Sequence, residues 1–398
     1  MTNEPSARDT SARVEAVTFE PLAVALREPF VIATGEMTAT RAVWVKARIV
    51  GRTGEAATGW GEAAALPPVT WEDQSDLLEL ISAAAPELAG LALELAAPDR
   101  LRARLDVLFP TSHVARAAVE SAILDGWARL MGCPVAQWLG ALTAPAALAA
   151  LPAFAPATMV TDMTLPIAAP GHMAKLAAGY REAGFVAFKV KVGRSWRGDL
   201  RALRAVVAAV PDARFRLDAN AGFTVGDATS LLHAALDAGM ALECCEQPCA
   251  REDWQGMARI TGESPVPIVA DESFRSGVDL ERLLGMRAAH AVNLKLVKLG
   301  GPLAALALGW RARQQGLGLM AGAMVETRLG LVTMGHVVAA LGGVEFVDLD
   351  TAFLLGAEPF SGGWSIDGPR LTLLGGPGLG LGLPGTPPAT GPAPPPPR

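Results

Sequence analysis

Residues 14–26 alternate apolar and polar side chains, and so do residues 42–50, where Val43, Val45 and Ala47 oppose Trp44, Lys46 and Arg48. A period of two marks half-buried strands. The region therefore reads as a strand pair joined by a loop from Arg27 to Thr40, with Gly35 inside it. Over residues 72–140 the period becomes helical. The clearest helix runs from Ser112 to Leu130, with Ala115, Ala118, Ile123 and Trp127 in its repeat, and Gly132 and Pro134 stop it.

Beyond about residue 155 short apolar runs alternate with Ala/Leu-rich helical stretches. The runs occupy 159–165, 187–192, 213–218, 242–246, 268–271, 291–296, 318–324 and 346–349. Eight strands with helical intervals predict an α/β fold, a TIM-type (β/α)8 barrel. Residues 14–150 then form an α+β capping domain completed by 352–383, and residues 151–351 form the barrel. The Gly- and Pro-rich stretch 384–398 is expected to be a disordered tail.

Composition narrows the function. A net charge of −6 argues against nucleic acid as a partner. No charge-free apolar run reaches membrane-spanning length, and Met1 to Arg13 is polar, so a cytoplasmic protein without a membrane partner is expected. Cys133, Cys244, Cys245 and Cys249 lack zinc-site spacing and read as buried reduced thiols. Of the 34 basic residues only six are lysine, leaving 28 arginines. A chain that prefers arginine keeps lysine where arginine cannot serve. Lysine can be tuned to give up its proton near neutral pH, and arginine cannot. Four of the six are Lys189, Lys191, Lys295 and Lys298; Lys298 reads as a surface residue.

Three successive strand candidates end in a carboxylate, at Asp218, Glu246 and Asp271, spaced by 28 and then 25 residues. Strand ends converge on the top face of a barrel. Carboxylates brought together there repel unless a cation sits among them, and hard oxygen ligands suit Mg²⁺ or Mn²⁺. Unrelated helix caps are the alternative, which three consecutive strand ends disfavour. Lys189 and Lys191 share one face of the second strand, and Lys295 ends the sixth, across the barrel from Lys191. A carbon held between Lys191 and Lys295 could lose a proton to one and regain it from the other. A metal on the neighbouring carboxylate would stabilise the enediolate, and metal and lysine charges would lower the lysine pKa values.

Together, Lys189-x-Lys191, the spaced Asp218, Glu246 and Asp271, and Asn293-x-Lys295 resemble the muconate-lactonising subgroup of the enolase superfamily. The likeness extends to Ala115–Glu120 followed by Gly132-Cys133-Pro134, and to Pro377–Gly380. It implies one Mg²⁺ per subunit on Asp218, Glu246 and Asp271, and acid/base roles for Lys191 and Lys295. Lys189 would help hold the substrate carboxylate. No histidine stands where a mandelate-racemase-type enzyme would place its base. Asp348-x-Asp350 on strand eight resembles the pair that holds the substrate ammonium in dipeptide epimerases, and Met324-Val325-Glu326-Thr327 and Thr161–Thr164 are similar to those enzymes too. The implied function is epimerisation of the C-terminal residue of an L,L-dipeptide, with Thr164, Asn220, Ala323, Met324 and Glu326 as further substrate contacts. Ala323 stands where some dipeptide epimerases carry a bulkier residue or cysteine. Arg27, in the loop over the barrel mouth, offers a charge for an acidic side chain. Family barrels often self-associate, so a homo-oligomer is expected. Cycloisomerases, N-acylamino-acid racemases and o-succinylbenzoate synthases share the fold, but their substrates lack a free ammonium for Asp348 and Asp350. A catalytically silent binding protein would need neither the ligands nor the lysines.

Overall fold

The computed structural model describes residues 11–94, 97–142 and 154–382. The join near residue 150 and the tail 384–398 lie outside them.

The period-two stretches form an antiparallel sheet in the order Ala56–Ala65, Arg41–Gly51, Ala12–Leu22 and Ala92–Leu93. One face packs on the helix His113–Met131. Ser112 caps this helix by accepting from the Ala115 N–H at 3.1 Å, and Gly132 ends it at a left-handed φ of 69°. The contact is close enough to demand glycine in the neighbouring strand. A Cβ on Gly59 would stand 1.9 Å from Gly126 N, and one on Gly61 2.0 Å from Ala118 O. The helix is buried on all sides from Val114 to Ala128, because its other face meets the barrel. There Arg116 donates to Gly300 O, and Glu120 accepts from the Leu303 N–H at 2.8 Å.

The stretch expected as a loop, 27–40, is instead a hairpin of Ala25–Val31 and Glu36–Ala39. Its alternation is too short to stand out in the sequence. The hairpin gains its stability by burying Phe30, Ile32 and Met37 with Val325 of the barrel, in a cluster separate from the main core.

Eight parallel strands form the barrel: Met163–Leu165, Ala187–Lys191, Arg214–Asp218, Ala241–Glu246, Ile268–Ala270, Ala291–Leu294, Gly318–Gly322 and Phe346–Asp348. The Asp162 N–H donates to Val347 O at 3.1 Å, and the Leu349 N–H to Thr161 Oγ1 at 2.9 Å, bringing the last strand to the first. Two expectations need correction. The run 159–165 is two strands, because Thr161 and Asp162 turn inward to these bonds; Thr158–Val160 joins a different sheet, beside Arg370–Leu373. Strand six stops at Leu294, and Lys295 precedes a short helix, Leu296–Leu299.

The chain's last described segment returns to the capping helix, where the Leu379 N–H donates to Asp125 Oδ1 at 2.7 Å. Among the described residues no helix is long and apolar enough to cross a membrane.

His336 ties three elements together. On the helix Arg328–Leu341 it accepts from the Ala136 N–H at 3.0 Å through Nδ1, and its Nε2–H faces Leu379 O at 3.4 Å. Burial pushes its pKa down from 6.5 to about 4. A histidine kept neutral when folded contributes full stability above pH 6.5. That contribution drains away as the pH falls toward 4, because only the unfolded chain takes up the proton. Over that interval His336 is expected to cost about 3 kcal/mol at ~1.4 kcal/mol per pH unit. Urea unfolding of the wild type and His336→Gln at pH 7 and pH 4.5 checks this: the variant should lose markedly less on acidification.

Candidate active site

Every residue of the second strand, Ala187–Lys191, is buried, so Lys189 and Lys191 point into the barrel and not into water. Their charges need partners there. Lys189 Nζ lies 2.7 Å from Asp348 Oδ2, 2.8 Å from Glu246 Oε2 and 3.0 Å from Asp218 Oδ2. Lys191 Nζ donates to Asp218 Oδ2 at 2.7 Å, and Lys295 Nζ to Asp271 Oδ2 at 2.7 Å. The three predicted carboxylates thus stand at the ends of strands three, four and five, knitted to three lysines.

The loops that follow these strands are held in unusual conformations. Asn220, Ala221 and Gln247 have positive φ values of 42°, 64° and 34°, costly for residues with a Cβ and retained where surroundings enforce them. Gln247 does part of the enforcing. Its Oε1 accepts from the Asp271 and Ser273 N–H groups at 3.1 and 3.0 Å, tying the fourth strand end to the fifth. Asn220 donates its N–H to Asp218 Oδ1 at 2.9 Å and its amide to Glu272 Oε1 at 3.3 Å. Asn293 donates to Glu246 Oε1 at 2.7 Å.

Sequence reasoning missed Gln247, Glu272 and Asn293 as part of this floor, although each sits beside or within a quoted motif. It also misplaced Lys298. That side chain is buried, not on the surface: its ammonium meets Asp271 O at 2.7 Å, Asp271 Oδ1 at 2.5 Å and Asn293 O at 2.9 Å. The one-turn helix Leu296–Leu299 carries it back beneath the strand ends.

Charge is unevenly shared across the floor. Burial opposes ionisation of Asp218 and Asp271, but the lysines outweigh it and hold both below the usual carboxylate range. Glu246 is pushed up to about 7 by burial and by Asp218. Glu272 is pushed up to about 8 by burial and by Asp271. Lys295 and Lys189 respond oppositely to the fall expected from the sequence. Burial lowers Lys295 and Lys189, yet the surrounding carboxylates outweigh it and raise both. The expected fall needs positive charge beside the lysines, which a divalent cation on Asp218, Glu246 and Asp271 would supply.

The residues suit a hard divalent cation. Glu246 Oε2 is within 2.8 Å of Lys189 Nζ but off its hydrogen-bonding directions, and Glu272 Oε2 is likewise buried without a donor. Oxygens that lack donors, on buried carboxylates brought together at adjoining strand ends, match what Mg²⁺ requires.

A second acidic group adjoins Lys189. Ligand oxygens of Asp162, Asp348 and Asp350 lie within 4.8 Å of one another. Arg216 Nη1 neutralises Asp162 at 2.8 Å, and Asp350 Oδ2 accepts from the Thr164 N–H at 2.5 Å. Burial and the charge on Asp348 push Asp350 up to about 7. In this corner Asp350 Oδ1 is buried without a donor.

Above the floor lies one cavity. Of the residues predicted from sequence, Lys189, Lys191, Lys295, Asn220, Thr164, Ala323, Met324, Asp348 and Asp350 line it. Asp218, Glu246 and Asp271 lie beneath, touching the lysine ammonium groups. Two residues expected as substrate contacts are placed elsewhere. Glu326 turns back to accept from the Met324 N–H at 2.9 Å, and burial and Glu62 push it up to about 8. Arg27 projects from the exposed side of the hairpin and lines an adjoining cleft with Tyr180 and Leu176.

A capped (β/α)8 barrel with lysines on opposite strands over a carboxylate floor defines a proton-moving isomerase of the enolase type. The chain belongs to the mandelate racemase/muconate lactonizing enzyme family. Residues 13–140 match its N-terminal domain, and residues 172–384 match the enolase C-terminal domain-like family. An L-Ala-D/L-amino acid epimerase of Populus trichocarpa is 35% identical over 361 residues, covering 87% of this chain and 79% of its own. The L-Ala-D/L-Glu epimerase of Bacillus subtilis, in a substrate-liganded complex, superimposes with a TM-score of 0.85 at 30% identity, covering 94% of this chain and 100% of its own. The dipeptide epimerase of Enterococcus faecalis, complexed with Mg and L-Leu-L-Tyr, superimposes at 0.82 with 29% identity, covering 93% and 99%.

Mg²⁺ is expected to raise the melting temperature of the wild type, since a ligand at 100 times its Kd stabilises by about 2.7 kcal/mol. Asp218→Asn and Asp271→Asn should abolish most of that gain. Differential scanning fluorimetry with and without EDTA reads the difference.

Proposed function

We propose that this chain is a Mg²⁺-dependent dipeptide epimerase that inverts the C-terminal residue of L,L-dipeptides by two-base 1,1-proton transfer. The observation that carries this reading is the placement of Lys191, at the end of strand two, and Lys295, just past strand six, in one cavity that also contains Asp348 and Asp350.

The chain's own residues supply most of the chemistry. Asp348 and Asp350 accept the ammonium of the substrate's N-terminal residue, a cation matched to two buried carboxylates. Thr164, whose N–H fixes Asp350, lines the wall beside them. The α-carbon of the C-terminal residue then rests between the two lysines. One amine takes the α-proton from its face, and the other ammonium delivers a proton to the opposite face. Each lysine ends in the protonation state its partner began with, so the return reaction uses the same pair in reverse. Asp218, Glu246 and Asp271 would hold one Mg²⁺ per subunit, and Mn²⁺ would suit the same oxygen donors. Bound there, the ion supplies Lewis-acid charge beside the substrate carboxylate. Lys189 sits between that floor and Asp348, neutralising both sets of carboxylates.

Proton NMR in D₂O with Mg²⁺ and a panel of L,L-dipeptides tests the reading. Exchange of the C-terminal α-proton with appearance of the L,D product is expected. Lys191→Ala and Lys295→Ala should each lower epimerisation by a factor of about 10² to 10⁴, while each retains exchange with only one of the two epimers. Turnover of N-acylamino acids or lactones without any dipeptide would move the assignment to the cycloisomerase and racemase branch.

A further inference from the structure

The cavity has two unlike halves. Its floor carries the lysines and carboxylates. Its roof is apolar: Phe30 and Ile32 from the hairpin, Leu66 and Val69 from the loop after the capping sheet, and Met324 and Val325 after strand seven. Among the described residues on this roof none is charged. Phe30, Ile32 and Val325, with Met37, form a cluster of their own, against which Leu66 and Val69 pack. The roof adjoins both lysines. Lys191 Nζ lies 5.9 Å from the centre of the Phe30 ring, and a Cβ on Gly322, two residues before Met324, would stand 3.1 Å from Lys295 Cε. A side chain on a carbon held between those lysines must meet this surface. Arg27, the cation expected from the sequence to greet an acidic side chain, faces the adjoining cleft instead.

We infer that the residue inverted by this enzyme carries an apolar side chain, such as that of leucine, methionine or phenylalanine, and that acidic and basic side chains are rejected. The inference rests on the epimerase reading and goes beyond it by naming the substrate class. Apolar surface gains by leaving water against Ile32, Leu66 and Val69. A carboxylate placed there would lose its hydration and find no donor, and a substrate ammonium would find no acceptor.

The test is α-proton exchange measured on L-Ala-L-Leu, L-Ala-L-Met, L-Ala-L-Phe, L-Ala-L-Glu and L-Ala-L-Lys with the full chain and Mg²⁺. kcat/KM for the three apolar dipeptides should exceed that for the charged two by at least about tenfold. Val69→Arg, a half-buried loop position, should shift the ratio of L-Ala-L-Glu to L-Ala-L-Leu upward by a similar factor. L-Ala-L-Glu or L-Ala-L-Lys as the best wild-type substrate would overturn the apolar assignment and leave the epimerase reading standing. A ratio unmoved by Val69→Arg would show that the roof does not meet the side chain. Exchange on no dipeptide would overturn the underlying function and this inference with it.

A separate observation concerns Lys298. Its ammonium has three N–H bonds and three acceptors: Asp271 O, Asp271 Oδ1 and Asn293 O. No donor remains for substrate, and Lys298 does not line the cavity. The geometry points to a positioning residue. Lys298 holds Asp271 from below by Oδ1, which leaves Oδ2, the oxygen that accepts from Lys295 at 2.7 Å, as the one that would face a cation. Lys298→Met should weaken Mg²⁺ binding at least about tenfold by isothermal titration calorimetry without substrate, and lower kcat more than it raises KM. Lys298→Arg keeps the charge but cannot reach the three acceptors from its planar fork, and should weaken Mg²⁺ binding about threefold or more. Wild-type Mg²⁺ affinity in either folded variant would overturn the role.

Discussion

Lys189 sits where two groups of carboxylates would otherwise collide. On one side are Asp218 and Glu246, on the other Asp348, all within 3.0 Å of its ammonium. Removing a carboxylate from water without a partner costs several kcal/mol, and this barrel buries a whole ring of them. A single buried cation at their centre makes the arrangement tolerable, with Lys191 and Lys295 sharing the outer positions. The site's remaining features accompany that concentration of charge: the tight hydrogen bonding of Gln247, Asn220 and Asn293, the strained backbone at two strand ends, and, with burial as the larger cause, the raised pKa values of Glu246 and Glu272.

The capping domain completes the cavity, and it is locked to the barrel by polar contacts between buried side chains. Glu62, at 5% exposure on the capping sheet, accepts from the Thr327 and Gly330 N–H groups, at 3.0 Å in each case, and from Thr327 Oγ1 at 2.6 Å. It thereby caps the helix Arg328–Leu341 from outside the barrel, where a negative charge suits the helix N-terminus. The same turn carries Met324 and Val325 into the roof. Arg116 and Glu120 grip the turn after Lys298 in the same manner. The two loops that follow strands six and seven are therefore positioned by the other domain, so the cap orients the barrel's chemistry as well as covering it.

Much of this was legible in the sequence because it is periodic or locally spaced. The eight strands announce themselves as apolar runs, and Asp218, Glu246 and Asp271 by their one-unit spacing. Lys189 and Lys191 show as charges on an apolar strand. What escaped depends on tertiary placement. The hairpin Ala25–Val31/Glu36–Ala39 has too few alternating residues to register, and its stability comes from Val325, some 300 residues away. Lys298 looks like a surface lysine, since nothing local says that a one-turn helix folds it under Asp271. Arg27 was legible as a charge in a mouth-covering segment, but which side of the strand it occupies is set by the burial of Phe30. Glu326 stands in a recognisable motif, yet its carboxylate serves the backbone of Met324. In each case residue type was readable and direction was not.

The floor and the roof impose opposite demands, and under the proposed function selectivity would lie in the boundary between them. The floor is polar to excess. Glu246 and Glu272 are pushed toward neutrality by burial first, and then by the charges of Asp218 and Asp271. Such a surface favours an incoming cation and the substrate's own charged ends over water. The roof offers no hydrogen bonds and favours only the removal of apolar area from solvent. A dipeptide whose ammonium and carboxylate reach the floor, with its side chain turned upward, satisfies both halves in a single orientation. Under the proposed function that orientation would set the α-carbon between Lys191 and Lys295. A flipped substrate would bury a charge against Ile32 and Val69 and leave Asp350 Oδ1 without a donor. Orientation thus follows from segregating polar from apolar surface, and it needs no contact to the reacting carbon itself.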